Sequence, residues 1–202
     1  SILGFTETLS GVIESNPSKA KQFLSVMERE SLRMSSLIDD LLGLSRVEAA
    51  EKQLPSEQVN LGDIMREVLE ILTATAAKKN IGIEYVQDAA DPLIIGDYSQ
   101  VVQVFTNLLQ NAIKYGGDGN KIKVIMNSIE YHKSLLTTGY KVSVEDTGIG
   151  IEEHHLARLT ERFYRVDDHR SRNEGGTGLG LSIVKHIMAV SYTHLTLPTI
   201  NW

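Results

Sequence analysis

The feature that most limits what this chain can become is a stripe at alternating spacings of three and four: Leu24, Met27, Ser31, Met34, Ile38 and Leu41, widened by Leu37 and Leu44. That spacing is the seam of a coiled coil or helical bundle. Ser15-Asn16-Pro17 breaks the chain and restarts it, with Asn16 as N-cap and Pro17 at the first helical position. The helix predicted from there to about Glu51 has roughly 30 residues and spans roughly 45 Å. Such a helix is too long to pack along a small globular core. Ser1 to about Glu14 reads as the end of a preceding helix, so residues 1–51 form a helical unit of their own. The alternative is an amphipathic helix lying on its own domain.

Lys52 to Gln58, containing Leu54-Pro55, reads as a linker, and the remaining pattern is mixed. Val59 to Leu61 is predicted as a short edge strand and Asp63 to Lys79 as a helix capped by Asp63. Strands are expected at Ile81–Val86 and Leu93–Ile95, and Gly96-Asp97 with Gln100 reads as a turn and capping box. Lys121–Ile129 and Tyr140–Glu145 are the next strands, with a helix at Glu152–Thr160. The class is therefore α+β: a helical segment, then a mixed sheet under helices in an α/β sandwich.

The helix opened by that capping box carries the first chemical signal. Val101, Val102, Phe105, Leu108, Leu109, Ala112 and Ile113 recur with helical period and face a core, while Gln103, Asn107, Asn111 and Lys114 share another face. Asparagine costs several tenths of a kcal/mol per helical position relative to alanine. Two in-line carboxamides beside a lysine suit a metal-bound polyphosphate, because amide oxygens ligate hard cations and an ammonium pairs with phosphate. A solvated face is the plainer alternative. Downstream, Lys141-Val-Ser-Val-Glu-Asp146-Thr-Gly148-Ile-Gly150 is a strand entering a glycine turn, and Asp146 at its end can accept from an exocyclic amine. Gly175-Gly176-Thr177-Gly178-Leu179-Gly180 opens a helix whose free amides and dipole favour phosphate. Alone, the first loop also suits an aspartic protease and the second a dinucleotide fingerprint or a tight turn.

In this order the segments resemble the catalytic core of the sensor histidine kinases of two-component systems, members of the ATPase superfamily with the Bergerat nucleotide fold. NLLQNAIKY is similar to the family's asparagine box, DTGIGI to its first glycine box, RFYRVD (Arg162 to Asp167) to its phenylalanine box, and GGTGLGLSIVKHI to its second glycine box. The resemblance implies that Asn111 with Asn107 holds Mg²⁺, Lys114 meets phosphate, Tyr115 lines the pocket and Asp146 reads adenine N6 of ATP. It assigns Gly148 and Gly150, and Gly176 through Thr177, Gly178, Leu179 and Gly180, to the nucleotide loops. Phe163 to Gly176 becomes a lid from which Arg165, Arg170 and Arg172 reach the phosphates, or else a solvated basic loop. Residues 1–51 become the dimerisation and phosphotransfer hairpin, 52–58 the linker and 59–190 the ATP-binding domain. The implied partners are a second copy of the chain, forming a homodimer, and the receiver domain of a response regulator. The hairpin and RFYRVD wording suggests the phosphate-regulon sensor subgroup.

The family's acceptor histidine lies in a box reading roughly HELRTPL, and SILGFTETL resembles the family's sequence immediately after that box. None of His132, His154, His155, His169, His186 or His194 is on the hairpin, so none inherits the acceptor role. The chain starts at Ser1 rather than Met, which reads as an internal fragment with room upstream for a membrane anchor. After Met188 the family's closing strands are expected, but Ser191 to Trp202 resembles no part of the kinase. Residues 191–202 are read as a non-native tail, similar to a translated sequencing adapter, the alternative being an edge strand at Tyr192–Leu197. A net charge of −6 argues against a general nucleic-acid binder, and the absence of cysteine excludes disulfides and thiol chemistry while remaining compatible with a cytoplasmic setting. The leading function is an ATP-dependent protein-histidine kinase core. Its rivals are a nucleotide-binding dimeric module without transfer activity, a chaperone or repair ATPase of the same fold, and an aspartic protease, which needs two DTG loops in a mainly β setting.

Overall fold

The structure is a computed structural model that describes residue 4 and residues 16–50, 55, 57–132, 137–166 and 176–191. The expected first helix (most of residues 1–14), most of the linker, Arg170, Arg172 and residues 192–202 lie outside the described residues. Helix α1 runs Pro17–Ala50, and Asn16 caps it, its side-chain oxygen accepting from the Lys19 amide at 3.1 Å and its carbonyl from Ala20 at 3.0 Å. Most of the predicted seam lies open on this chain: Met34 is 52% and Ile38 54% exposed, and Leu24 and Leu41 are also exposed. Leu37 and Leu44 do not widen that seam. They face the second unit, where Leu44 is only 4% exposed and Leu37 packs on the core.

The second unit begins with β1 (Gln58–Asn60), then α2 (Leu61–Lys78), β2 (Gly82–Gln87), β3 (Leu93–Ile95), α3 (Tyr98–Tyr115), β4 (Lys121–His132), β5 (Thr137–Asp146), the single turn α4 (Glu153–Leu156) and α5 (Gly180–Val190). Strands β1 and β3 pair antiparallel as a separate ribbon. The main sheet has the order β2-β4-β5, with β2 parallel and β5 antiparallel to β4. Parallel neighbours need a crossover, and α3 lies within it. Alternation along β4 buries Ile122, Val124 and Met126 and exposes Lys121 and Lys123, the period of a strand covered on one face. Ile64, Met65, Val68 and Leu72 of α2, Leu109 and Ile113 of α3, and Ile183, Val184 and Ile187 of α5 belong to the core on that face. The α+β class and the mixed sheet under helices are thus observed.

Four expectations need correction. Asp63 does not cap α2; Asn60 does, its Oδ1 accepting from Gly62 at 2.9 Å and Asp63 at 3.2 Å. The edge strand accordingly ends at Asn60, because a residue whose side chain satisfies the first helical amides already stands at the helix boundary. The helix expected over Glu152–Thr160 stops after Leu156. There the chain continues in i→i+3 turns, His155 to Arg158 and Arg158 to Glu161, while His155 Nδ1 meets the Tyr164 hydroxyl at 2.5 Å and Arg158 stacks 4.1 Å from the Tyr164 ring centroid. These tertiary contacts draw the segment tighter than an α-helix. Strands β4 and β5 extend past their expected ends and pair as far as His132 with Thr137.

Candidate functional site

The stripe on α3 lies between the two glycine loops. Asp97 caps α3 by accepting from the Gln100 amide at 2.9 Å, as the capping box predicts. The helix ends at Tyr115, where Gly116 abuts the turn after β5: a Cβ on Gly148 would stand 2.9 Å from Gly116 Cα and 3.2 Å from the Tyr115 carbonyl oxygen. Gly148 is therefore required by close backbone approach rather than by flexibility. Asp146 is exposed at the end of β5, and its Oδ1 accepts from the Gly148 amide at 2.8 Å. One carboxylate oxygen holds the loop, which leaves the other for a ligand amine. Gly150 continues the turn at φ +72°.

A residue that sequence reasoning missed fixes this loop. Asn120 is buried, and its Oδ1 accepts from the Thr147 amide at 2.9 Å and the Lys121 amide at 2.7 Å, and pairs with the Thr147 hydroxyl. It clamps the start of β4 to the turn after Asp146. The available signal was an asparagine directly after the Gly116-Gly-Asp-Gly119 turn, which by itself reads as a loop residue.

The second glycine loop meets both α3 and the phenylalanine box. Gly178 has φ +76°, and a Cβ there would lie 2.8 Å from the Phe163 carbonyl carbon and 2.9 Å from its Cα. The Phe163 amide donates to the Gly178 carbonyl at 2.9 Å. Gly180, the first residue of α5, faces Asn107, whose Oδ1 would be 3.2 Å from a Cβ at that position. Leu179 is fully buried and anchors the loop, Thr177 Oγ1 accepts from the Leu179 amide at 3.3 Å, and Gly176 is buried beneath them. Asn107, Asn111 and Lys114 are each half-buried along one side of α3, and Tyr115 is exposed at its end. Arg165 is half-buried, with Nε and Nη2 turned inward without a hydrogen-bond partner.

The site thus brings the asparagine box against the second glycine box, through Asn107 and Gly180, and the end of that same helix against the first, through Gly116 and Gly148. The Asn107 amide is also a fit for a ligand: its Nδ2 is buried and has no hydrogen-bond partner. Amide oxygen and nitrogen exchange by a half-turn of the group, so the same position can present an acceptor to a cation. Beside it, the first amides of α5 and the helix dipole are of the kind that could hold a phosphate.

Residues 96–199 match the profile of the histidine kinase-, DNA gyrase B-, and HSP90-like ATPases, and residues 1–50 that of the His kinase A (phospho-acceptor) domain. The chain is 35% identical over 200 residues to the phosphate regulon sensor protein PhoR of Pseudomonas aeruginosa, covering 98% of this chain and 43% of the relative. It is also 35% identical over 175 residues to the sensor-like histidine kinase SenX3 of Mycolicibacterium smegmatis, covering 86% of this chain and 43% of the relative. Among solved structures, the nucleotide-free catalytic domain of histidine kinase ThkA superposes with TM-score 0.54 at 30% identity, over 65% of this chain and 78% of that one. Full-length ShkA, solved in complex with AMPPNP, gives TM-score 0.66 at 25% identity, over 86% and 34%. The chain belongs to the histidine kinase-, DNA gyrase B- and HSP90-like ATPase family, and within it is the catalytic core of a sensor histidine kinase. It spans less than half the length of both curated relatives. None of its described residues forms a helix long and apolar enough to cross a membrane.

Proposed function

We propose that this core binds Mg·ATP between α3 and the two glycine loops and moves the γ-phosphoryl to a hairpin histidine, and then to an aspartate of a response-regulator receiver domain. The observation that carries the reading is the apposition of Asn107 to Gly180, which sets the carboxamide stripe against the amides opening α5. Asn107 and Asn111 hold Mg²⁺, and Lys114 and Arg165 meet the phosphates. Tyr115 lines the pocket, and Asp146, steadied by Gly148, accepts from adenine N6. Bound Mg²⁺ neutralises charge on the transferring phosphoryl group. The protein supplies position: α3 orients the polyphosphate, the α5 amides fix its oxygens, and the hydrogen bond from the Phe163 amide to the Gly178 carbonyl holds the glycine loop in place.

Titration calorimetry tests this assignment. The parent chain is expected to bind ATP in preference to GTP, because guanine presents a carbonyl where adenine presents an amine. Asp146→Ala should erase that preference, and Asn111→Ala should weaken binding chiefly when Mg²⁺ is present. Equal affinity of the parent chain for ATP and GTP would remove Asp146 from the adenine site.

We propose further that α1 assembles two copies of the chain, since its exposed stripe of Leu24, Met34, Ile38 and Leu41 has the spacing of a bundle seam. Light scattering should show a dimer, and Met34→Glu combined with Ile38→Glu a monomer. A monodisperse parent monomer at about 50 µM, a concentration that detects a weak interface, would count against the bundle.

A further inference from the structure

Helix α1 is seated on the nucleotide unit by a polar contact that the dimer seam does not use. Thr177 Oγ1 donates to Asp40 Oδ2 at 2.6 Å, across 137 residues of sequence, while the same oxygen accepts from the Leu179 amide. Around it, α1 lies close: a Cβ on Gly43 would stand 2.8 Å from Gln103 Nε2, and Leu37 and Leu44 pack on the core. The positive charge of Lys114 reaches Asp40 as well. A carboxylate of the hairpin helix thus occupies the hydroxyl of a residue in the second glycine loop, and the charge of the lysine assigned to phosphate favours its ionised form.

That seat is a costly one for an anion. Burial raises the Asp40 carboxyl above its ordinary range; the Thr177 hydrogen bond and Lys114 lower it, and neighbouring Asp39 raises it again. Desolvation outweighs the compensating partners, so the ionised side chain is held less firmly than a phosphate with several charges and three acceptor oxygens. The Thr177 hydroxyl has one proton to donate, so a carboxylate and a phosphate oxygen compete for it, and a ligand that favours the undocked helix shifts the population toward it.

We propose that Asp40 is a built-in competitor of nucleotide phosphate: its carboxylate holds α1 on Thr177, and a polyphosphate entering the glycine loop displaces it and frees the helix. The inference rests on the nucleotide-site reading above. Loading with ATP then does two things at once, filling the site and releasing the hairpin helix to move relative to the site.

Two measurements on the 202-residue chain test the competition. The first compares ATP and adenosine binding by the parent and by Asp40→Asn, which keeps the side chain's size and its ability to accept from Thr177. Asp40→Asn should bind ATP about 5- to 10-fold more tightly, the size of one relieved like-charge contact near a surface, with adenosine affinity unchanged. The second uses the absence of cysteine: spin labels on Ser36→Cys and Ala74→Cys, diluted with unlabelled chain, report the distance from α1 to α2. Mg·ATP should convert one docked distance into a longer, broader distribution, and adenosine should not. Equal tightening for ATP and adenosine, or no change in either, would overturn the competition while leaving the nucleotide site intact, as would labels that stay docked at saturating ATP. Binding of neither ligand by either protein would overturn both.

Discussion

Replacing Gly178 by alanine is expected to cost the chain most of its affinity for ATP and a measurable part of its stability. Two penalties coincide at this position. The backbone sits at φ +76°, where a side chain costs roughly 1–2 kcal/mol. The added methyl would also meet the Phe163 backbone at 2.8 and 2.9 Å, an overlap that typically costs about 1–3 kcal/mol once neighbours shift. Neither partner yields easily, because the Phe163 amide is bonded to the Gly178 carbonyl and Leu179 is locked in the core. The loop must therefore swing away from the α5 amides, which removes the phosphate seat. Binding should fall by at least about tenfold, the effect of roughly 1.4 kcal/mol, with a lowered midpoint in thermal denaturation. Gly82→Ala is the control: nothing lies within 4 Å of a Cβ there, and it should change neither quantity. A Gly178→Ala protein that binds ATP at parental affinity would show that the loop does not contact phosphate.

The second large effect is an all-or-none one. Incubated with labelled ATP, the 202-residue chain should acquire no acid-labile, base-stable phosphate, although it binds the nucleotide. Phosphoryl transfer needs a nucleophile in line with the γ-phosphate, and no histidine occurs on α1 or anywhere in residues 1–51. His155 is engaged with Tyr164, and His154 lies against it, with ring centroids 3.8 Å apart. ATP binding must be shown on the same sample, so that silence reflects the missing acceptor. Stoichiometric phosphohistidine on the chain as it stands would redirect the assignment to the histidines it contains.

Local signals were legible in the sequence where a single segment determines them. The Asn16 and Asp97 caps and the apolar face of α3 come from spacing alone, and each is realised. Asn60 and Asp63 are both good caps three residues apart, and local preference could not choose between them; the pairing of β1 with β3 places the strand end at Asn60. The Glu152–Thr160 segment has helical composition, yet its contacts with Tyr164 end the helix early. Features that depend on distant partners stayed hidden. Asn120 acts through Thr147, 27 residues away, and Asp40 through Thr177, 137 away. Leu37 and Leu44 read as part of one stripe with Met34 and Ile38, whereas the fold assigns the two sets to different surfaces.

The central claim, that this site delivers the γ-phosphoryl of ATP to a hairpin histidine, is tested most directly by joining a HELRTPL-type segment ahead of Ser1 and tracing label from γ-labelled ATP. The extended chain should acquire acid-labile, base-stable phosphate in the presence of Mg²⁺, the label should map to the new histidine, and Asn111→Ala should abolish it. Label absent from an extended chain that binds Mg·ATP and forms its dimer, or label resistant to acid, would contradict a histidine kinase assignment.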